Sequence, residues 1–409
     1  MKRISLASAF AAAVCLLVPT QVLAVDINFE EPVKIGDGQR GTIPTYGPGN
    51  QIVIKGDQIF VAWSAEDPYI FDPAFPQRRN DEVRNVQSLD KGQTWEGSDV
   101  IVRGNFTLQG ASLAVGSYLG NTYQHFAYGY RSGANQVFYV NSSDRTPIDV
   151  TGGLGISVDD LSRSIAADQN GNVFVCFGGS GAQHDVIYCS RFITDSFGVV
   201  SLDPAETASL ASGPGNRAWE EPAIAMDSSG TLFGAWTEEI NGVRELVLAK
   251  RVAAGIWEHK IIDRQGYEDY YASIDIADIN GVTKICVSWA YNEIVVSCTI
   301  DEGVTWKTSV VVSDEWADFR PSVAISPDGT VNVAWVYFRK DPIRFARQLK
   351  DKKGSKWEAV DVVIDEYVFD VKLDMDADGL AHLVYPGKDW STLMYIREKP
   401  LVPTGPPRP

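Results

Sequence analysis

Glu221, Tyr271, Arg320 and Asp370 recur along the chain at near-equal intervals, each opening a copy of one repeated phrase. Carboxylates can pass protons or attack, a guanidinium grips anions through paired hydrogen bonds, and a phenol offers both a ring and a hydroxyl. The neighbours Trp219, Glu220, Tyr270, Asp318 and Phe319 add aromatic faces and further carboxylates, and Arg163 stands one place beyond the matching position of an earlier copy. Aromatic planes beside paired donors and acceptors suit a sugar ring. Two carboxylates at a suitable separation can serve as acid and as nucleophile or base in glycoside hydrolysis. The catalytic candidates are therefore Glu221, Tyr271, Arg320 and Asp370, and the substrate-binding candidates are Arg163, Trp219, Glu220, Tyr270, Asp318 and Phe319. The plainer reading is that these positions are polar because they face a wet channel.

The phrase that carries them is clearest in "EPAIAMDSSGTLFGAWTE" from Glu221: a strand, a turn at Asp227 to Gly230, and a second strand ending in an aromatic. Close copies start at Arg320 and Asp370, and looser ones at Asn50, Gly110, Ser162 and Tyr271. A period of about 50 to 60 residues that contains only short strands marks a propeller of four-stranded blades. The expectation is an all-β, seven-bladed β-propeller of antiparallel blades over residues 25–398, with six blades as the competitor because the Asn50 and Gly110 copies are weak. After the Asp370 copy only "STLMYIRE" follows before the Pro-rich tail 399–409, so the last blade lacks a strand. "NFEEPVKIGD" near the N-terminus is expected to supply it and close the ring. In this frame Cys176 and Cys189 fall on adjacent strands of one blade, and Cys286 and Cys298 on the same strands of another, which predicts two cross-strand disulfides.

A second repeat lies in the turn between third and fourth strands. "SLDKGQTW", Ser88 to Trp95, returns as "TIDEGVTW", Thr299 to Trp306, and Trp257 and Trp357 hold the same place with the aspartate lost. These stretches resemble the Asp-box, S/T-x-D-x-G-x-T-W, of the sialidase-like (BNR repeat) propellers, and through the blade pattern the likeness extends over most of the chain. Such a box is a structural turn: Asp90 and Asp301 accept backbone N–H bonds, Gly92 and Gly303 take the left-handed conformation, and the tryptophans pack on the blade. The resemblance implies glycan recognition in a central funnel. It also implies an arginine triad for a sialic-acid carboxylate, a tyrosine assisted by a glutamate, and an aspartate acid/base. Thr42 stands where the first arginine belongs and Trp236 where the second does, although Glu221 fits its motif; Tyr271 and Arg320 come in reversed order. Neither threonine nor tryptophan can fork a carboxylate. The triad is not intact, which argues against sialidase activity and for another glycoside hydrolase if the protein is an enzyme.

The leader "MKRISLASAFAAAVCLLVPTQVLA", residues 1–24, reads as a signal peptide, so the expected location is periplasmic or secreted. Loss of Lys2 and Arg3 takes the formal charge from −17 to −19, which speaks against nucleic acid as a partner, and no later apolar run is long enough for a membrane span. The partner expected is a glycan or polysaccharide, with another exported protein as the option if the chain is a non-catalytic scaffold. A third option is a polysaccharide lyase using His125 in "YQHFAYGYR". No cofactor and no metal is implied: the carboxylates of "DMDADG", Asp374 to Gly379, read as a hairpin turn rather than a calcium loop.

Overall fold

The computed structural model describes residues 27–400 except 38–48, 67–80, 105–106, 133, 153, 155, 157, 159–162, 181–184, 195–199, 211–215, 219–221, 265–270, 291–292, 314–319, 337–341, 350–355, 364–367, 369 and 389–391. The expected leader and the end of the Pro-rich tail lie outside these residues.

Seven antiparallel sheets follow one another along the chain, each built as strand, turn, strand. Their innermost strands are Ile52–Lys55, Thr107–Tyr118, Arg163–Ala167, Ala223–Met226, Ser273–Ile279, Ser322–Ile325 and Lys372–Met375, and each begins one of the repeated phrases. Every one of them touches the inner strand of the next blade, and Lys372–Met375 touches Ile52–Lys55, so the ring is closed. The weak Asn50 and Gly110 copies form full blades, which excludes the six-bladed alternative. The seventh blade is completed as expected: Val33–Asp37 pairs antiparallel with Thr392–Arg397 as its outermost strand.

Alternation along each strand divides its side chains between the two faces of the blade, and both faces are buried because blades stack around the ring. Apolar residues accordingly gather in seven clusters, one at each blade interface. Trp63, Trp236 and Trp335, at the same place in their second strands, are fully enclosed.

The inner strands present unpaired edges to the channel, and the preceding blade caps them. Ile224 N–H donates to Ser164 Oγ at 3.2 Å, Val323 N–H to Ser273 Oγ at 3.2 Å and Leu373 N–H to Ser322 Oγ at 3.1 Å. Two residues further along, carboxylates take over: Ile325 N–H donates to Asp275 Oδ2 and Ile54 N–H to Asp374 Oδ2, each at 2.7 Å. The second of these bonds crosses the seam where the last blade meets the first.

The repeated turns staple blades from the outside. Asp90 Oδ1 accepts the Thr94 N–H at 2.8 Å, and Ser88 Oγ accepts the Gly92 N–H at 2.8 Å; Asp301 and Thr299 do the same for Thr305 and Gly303 at 2.9 Å. Hydrogen bonds led by the Thr94 hydroxyl hold Asp90 down at about 2, and bonds led by the Thr299 hydroxyl do so for Asp301. Gly92 is left-handed at φ 81°, and a Cβ there would stand 2.1 Å from the hydroxyl of Tyr395 in the seventh blade. Trp95 meets the same tyrosine edge-on, with ring centroids 4.7 Å apart.

Both expected disulfides are present. Cys176 pairs with Cys189 and Cys286 with Cys298, at register-matched positions of the second and third strands. They close loops with sequence separations of 13 and 12, and a cross-link of this size restricts the unfolded chain by about 2–3 kcal/mol. Replacing either pair by alanines should lower stability in chemical denaturation by about 2 kcal/mol or more; an unchanged midpoint would show that the bonds are dispensable.

Burial pushes Asp275 up to about 6, and burial together with the charge of Asp275 pushes Asp374 up to about 8. Both carboxyls hold protons more tightly folded than unfolded, so their contribution to stability is full below the unfolded pKa and is lost as pH rises towards the folded values. Asparagine at 374 keeps an acceptor for Ile54 without the charge. Asp374→Asn should therefore raise the melting temperature most at about pH 8.5, with the gain shrinking towards about pH 4.5. A gain independent of pH would mean that the carboxyl is not protonated in the fold.

Candidate functional site at the channel mouth

The inner strands all begin at one end of the channel. Tyr271, Arg320 and Asp370 enter the inner strands of the fifth, sixth and seventh blades, and the fold brings these three together. The Arg320 guanidinium lies over the Tyr271 ring, 4.8 Å from its centroid. Its backbone is left-handed at φ 48°, a conformation that costs a side-chain-bearing residue about 1–2 kcal/mol. A cation over an aromatic face offsets part of that cost.

Asp370 is buried. Its Oδ1 accepts the Val371 N–H at 2.9 Å, and its Oδ2 lies 3.2 Å from Lys372 Nζ. Burial raises its carboxyl above the ordinary aspartate value, against the opposing pull of Lys372 and of Arg320. The mouth is thus a continuous set of ring, guanidinium, carboxyl and ammonium contributed by three adjacent blades. Chemically it can hold an anionic or hydroxyl-rich ligand, and it includes one carboxyl of a type that can act as acid or base.

The other side of the ring is built differently. Arg163 is buried; its Nε donates to the Gly110 carbonyl at 2.7 Å and its Nη2 bonds the same oxygen. Gly110 has φ 64°, and the strand register shifts between Gln109 and Ser112. Ser112 Oγ donates to the Arg163 carbonyl at 2.9 Å, and a Cβ on Gly49 would stand 1.9 Å from that hydroxyl oxygen. The entries of the first three blades are therefore locked onto one another, and Arg163 is turned onto backbone there. Trp219, Glu220, Glu221, Tyr270, Asp318 and Phe319 lie outside the described residues, as does Thr42. Trp236, where the resemblance led an arginine to be expected, is sealed in the fourth blade with its Nε1 donating to Glu238 at 2.8 Å.

Lys372 escaped the sequence reading. It occupies the place held by serine in Ser112, Ser164, Ser273 and Ser322, so an aligned column two residues after the entry position would have singled it out. His125 is enclosed, its Nδ1 2.8 Å from the Tyr139 hydroxyl, and burial holds it down at about 3; it has no path to a polymer, and the lyase reading is not favoured. The "DMDADG" carboxylates diverge. Asp374 caps Ile54, Asp376 Oδ1 accepts the Asp378 and Leu380 N–H groups, and Asp378 pairs with Lys91 at 2.6 Å, which is hairpin and blade-contact work.

No family model matches the sequence, and no curated protein matches it. Among solved structures the chain is similar to the Trypanosoma rangeli sialidase in complex with sialic acid, at 12% identity and a TM-score of 0.47, over 92% of this chain and 59% of that one. It is similar also to a Dyadobacter fermentans protein of unknown function, at 12% identity and a TM-score of 0.49, over 91% of this chain and 99% of that one. A third similar structure is the intramolecular trans-sialidase from Ruminococcus gnavus with oseltamivir carboxylate, at 12% identity and a TM-score of 0.46, over 89% and 96%. The chain spans about three fifths of the trypanosomal sialidase.

Removing one partner of a buried ion pair strands the other, at about 3 kcal/mol. Lys372→Met should destabilise the protein by about that amount, and Asp370→Asn added to it should restore a large part. A double variant no more stable than the single one would show that the pair is not coupled.

Proposed function

We propose that the channel mouth binds a glycan and that the protein is an exported, sialidase-like propeller, with a glycoside hydrolase other than a sialidase as its catalytic form. One observation carries this reading: Arg320 is held in a strained backbone over Tyr271 and beside the buried Asp370, three polar groups from three blades converging at one end of the channel. Strain of this kind persists where the surroundings over-determine it, and it concentrates at functional positions.

In this reading Arg320 takes an anionic or hydroxyl substituent of the sugar, and the Tyr271 ring edge bounds the site. Asp370, whose pKa burial raises against the pull of Lys372 and Arg320, takes the role of the acid at the leaving oxygen. Glu221 is the second carboxylate, attacking the anomeric carbon or activating the water that does, with Trp219, Glu220, Tyr270, Asp318 and Phe319 as further ligand contacts. Export is supported by the 1–24 leader and by the two disulfides, which persist in oxidising compartments. No helix among the described residues is long and apolar enough to cross a membrane.

The test is mass spectrometry of sialylated, neutral and acidic glycans before and after incubation with the protein and with its Glu221→Gln and Asp370→Asn variants. Hydrolysis predicts products carrying one added water, a loss of at least about 100-fold in rate in either variant, and unchanged circular dichroism. Wild-type rates in both variants would remove these carboxylates from the chemistry. Glycans that neither change nor bind would remove the channel mouth as a glycan site.

A further inference from the structure

The two disulfides occupy the same place in their blades, but their surroundings differ. In the third blade the strand register puts Cys176, Cys189 and Glu206 in one cross-strand row. Glu206 accepts from Arg251 Nε at 2.6 Å, from the Gly255 N–H at 2.7 Å and from Trp257 Nε1 at 3.1 Å, all in the fourth blade. This carboxylate ties the two blades together beside the bond, and both Cys176 and Cys189 are enclosed. In the fifth blade the corresponding row is Cys286, Cys298 and Lys307. Trp357 of the sixth blade stands where Trp257 stands in the fourth, but its Nε1 donates to Ser309 Oγ at 3.2 Å, and Gln348 replaces Arg251 as its cross-strand partner. A cavity of about 360 Å³ opens at this place, lined by Cys298, Lys284, Lys307, Ser309 and Gln348. Cys286 is enclosed, and Cys298 is only partly buried.

Side chains two apart on a strand, or directly opposite on adjacent strands, share a face of the sheet. Lys284 therefore lies on the face of Cys286, and Lys307 on the face of Cys298. Lys284 Nζ donates to the Gly329 carbonyl at 2.8 Å, which holds it at the junction with the sixth blade. A thiolate displaces a sulfur along the S–S axis, so attack on Cys298 comes from the side away from Cys286, which is the side of Lys307. The incoming group is an anion. The departing one, Cys286 Sγ, becomes an anion two residues from Lys284. An ammonium group stands near each charge that the exchange creates or brings, and such neighbours favour the thiolate. In the third blade the corresponding places hold Glu206, already paired with Arg251, and Phe174; neither offers a positive charge to a thiolate.

We infer that the cavity between the fifth and sixth blades is a thiol-exchange site, at which a small anionic thiol attacks Cys298 and opens the Cys286–Cys298 bond while Cys176–Cys189 stays closed. The thiolate sulfur bonds to Cys298 Sγ, the bond to Cys286 breaks, and its electron pair leaves on Cys286 Sγ, which takes a proton from solvent. A second thiolate then displaces Cys298 from the mixed disulfide. In sum two small thiols are oxidised to one disulfide and the protein bond is reduced to two thiols. A cavity of this volume lies in the range of small-ligand sites, about 300–1,000 Å³. The exchange is independent of the channel-mouth reading.

The experiment incubates the intact, folded protein with 2-mercaptoethanesulfonate, 2-mercaptoethanol or cysteamine, which are anionic, neutral and cationic, at low and at high salt. Samples quenched at intervals are unfolded, alkylated and mapped by peptide mass, and rates are compared per thiolate. Cys286–Cys298 should open at least about 100-fold faster than Cys176–Cys189. The anionic thiol should lead cysteamine by at least about tenfold at low salt and by less at high salt. Lys307 is exposed, so Lys307→Glu should keep the circular dichroism and reverse the order of the thiols. In Cys286→Ser the remaining Cys298 should form a mixed disulfide with oxidised mercaptoethanesulfonate, and in Cys298→Ser the remaining Cys286 should not. Four results would overturn the inference: both bonds open at one rate, as they would through global unfolding; Cys176–Cys189 opens first; Cys286 reacts and Cys298 does not; or Lys307→Glu leaves the order of the thiols unchanged. The wild-type rates decide the matter even where a cysteine variant fails to fold.

Discussion

The propeller depends on how it treats the inner edges of its blades. A strand edge facing a narrow channel carries N–H groups that neither a neighbouring strand nor bulk water fully satisfies, and leaving one buried and unpaired costs about 1–3 kcal/mol. Here the preceding blade meets the need with a short side chain. Ser164, Ser273 and Ser322 reach forward to the next inner strand, and Asp275 and Asp374 do so one step deeper. Each blade thereby fixes the height and azimuth of the next. Tyr271, Arg320 and Asp370 meet at one end of the channel because this ladder of caps holds the inner strands in common register.

Outside, the repeated turns perform the matching task. The Ser88–Trp95 turn sets Gly92 and Trp95 against Tyr395 of the seventh blade, and the Thr299–Trp306 turn sets Gly303 against Leu248 and Lys260 of the fourth. Each is anchored in its own blade and contacts the one before it. The same eight-residue sentence is written twice because the same mechanical contact is needed twice.

Most of the fold was legible because a propeller repeats its grammar. Seven strand–turn–strand phrases, two matched cysteine pairs and an unpaired last blade are all local patterns, and they add up to one closed ring. The site was less legible. Alignment of entry positions brought out Tyr271, Arg320 and Asp370, but it could not tell Arg163 apart from them: whether a guanidinium faces ligand or backbone is decided by the bulge at Gly110, a tertiary feature. Lys372 was passed over because a lysine in a strand reads as solvated surface until its burial against Asp370 is seen. The cavity at Lys284 and Lys307 is assembled from two blades, with Gln348 of the sixth among its walls, and no single phrase contains it.

The seventh blade is made from both ends of the domain, and this gives the molecule a clock. Val33–Asp37 is among the first parts of the propeller to be synthesised, and it stays without its partner until Thr392–Arg397 arrives, almost a full chain later. Until then the growing arc has two raw flanks, one at Ile52–Lys55 and one at whichever blade was finished last. Pairings of such long sequence separation form late and slowly. Until that pairing forms, the arc must be kept from sticking to its neighbours, and closure of the seventh blade decides whether a ring or an aggregate results.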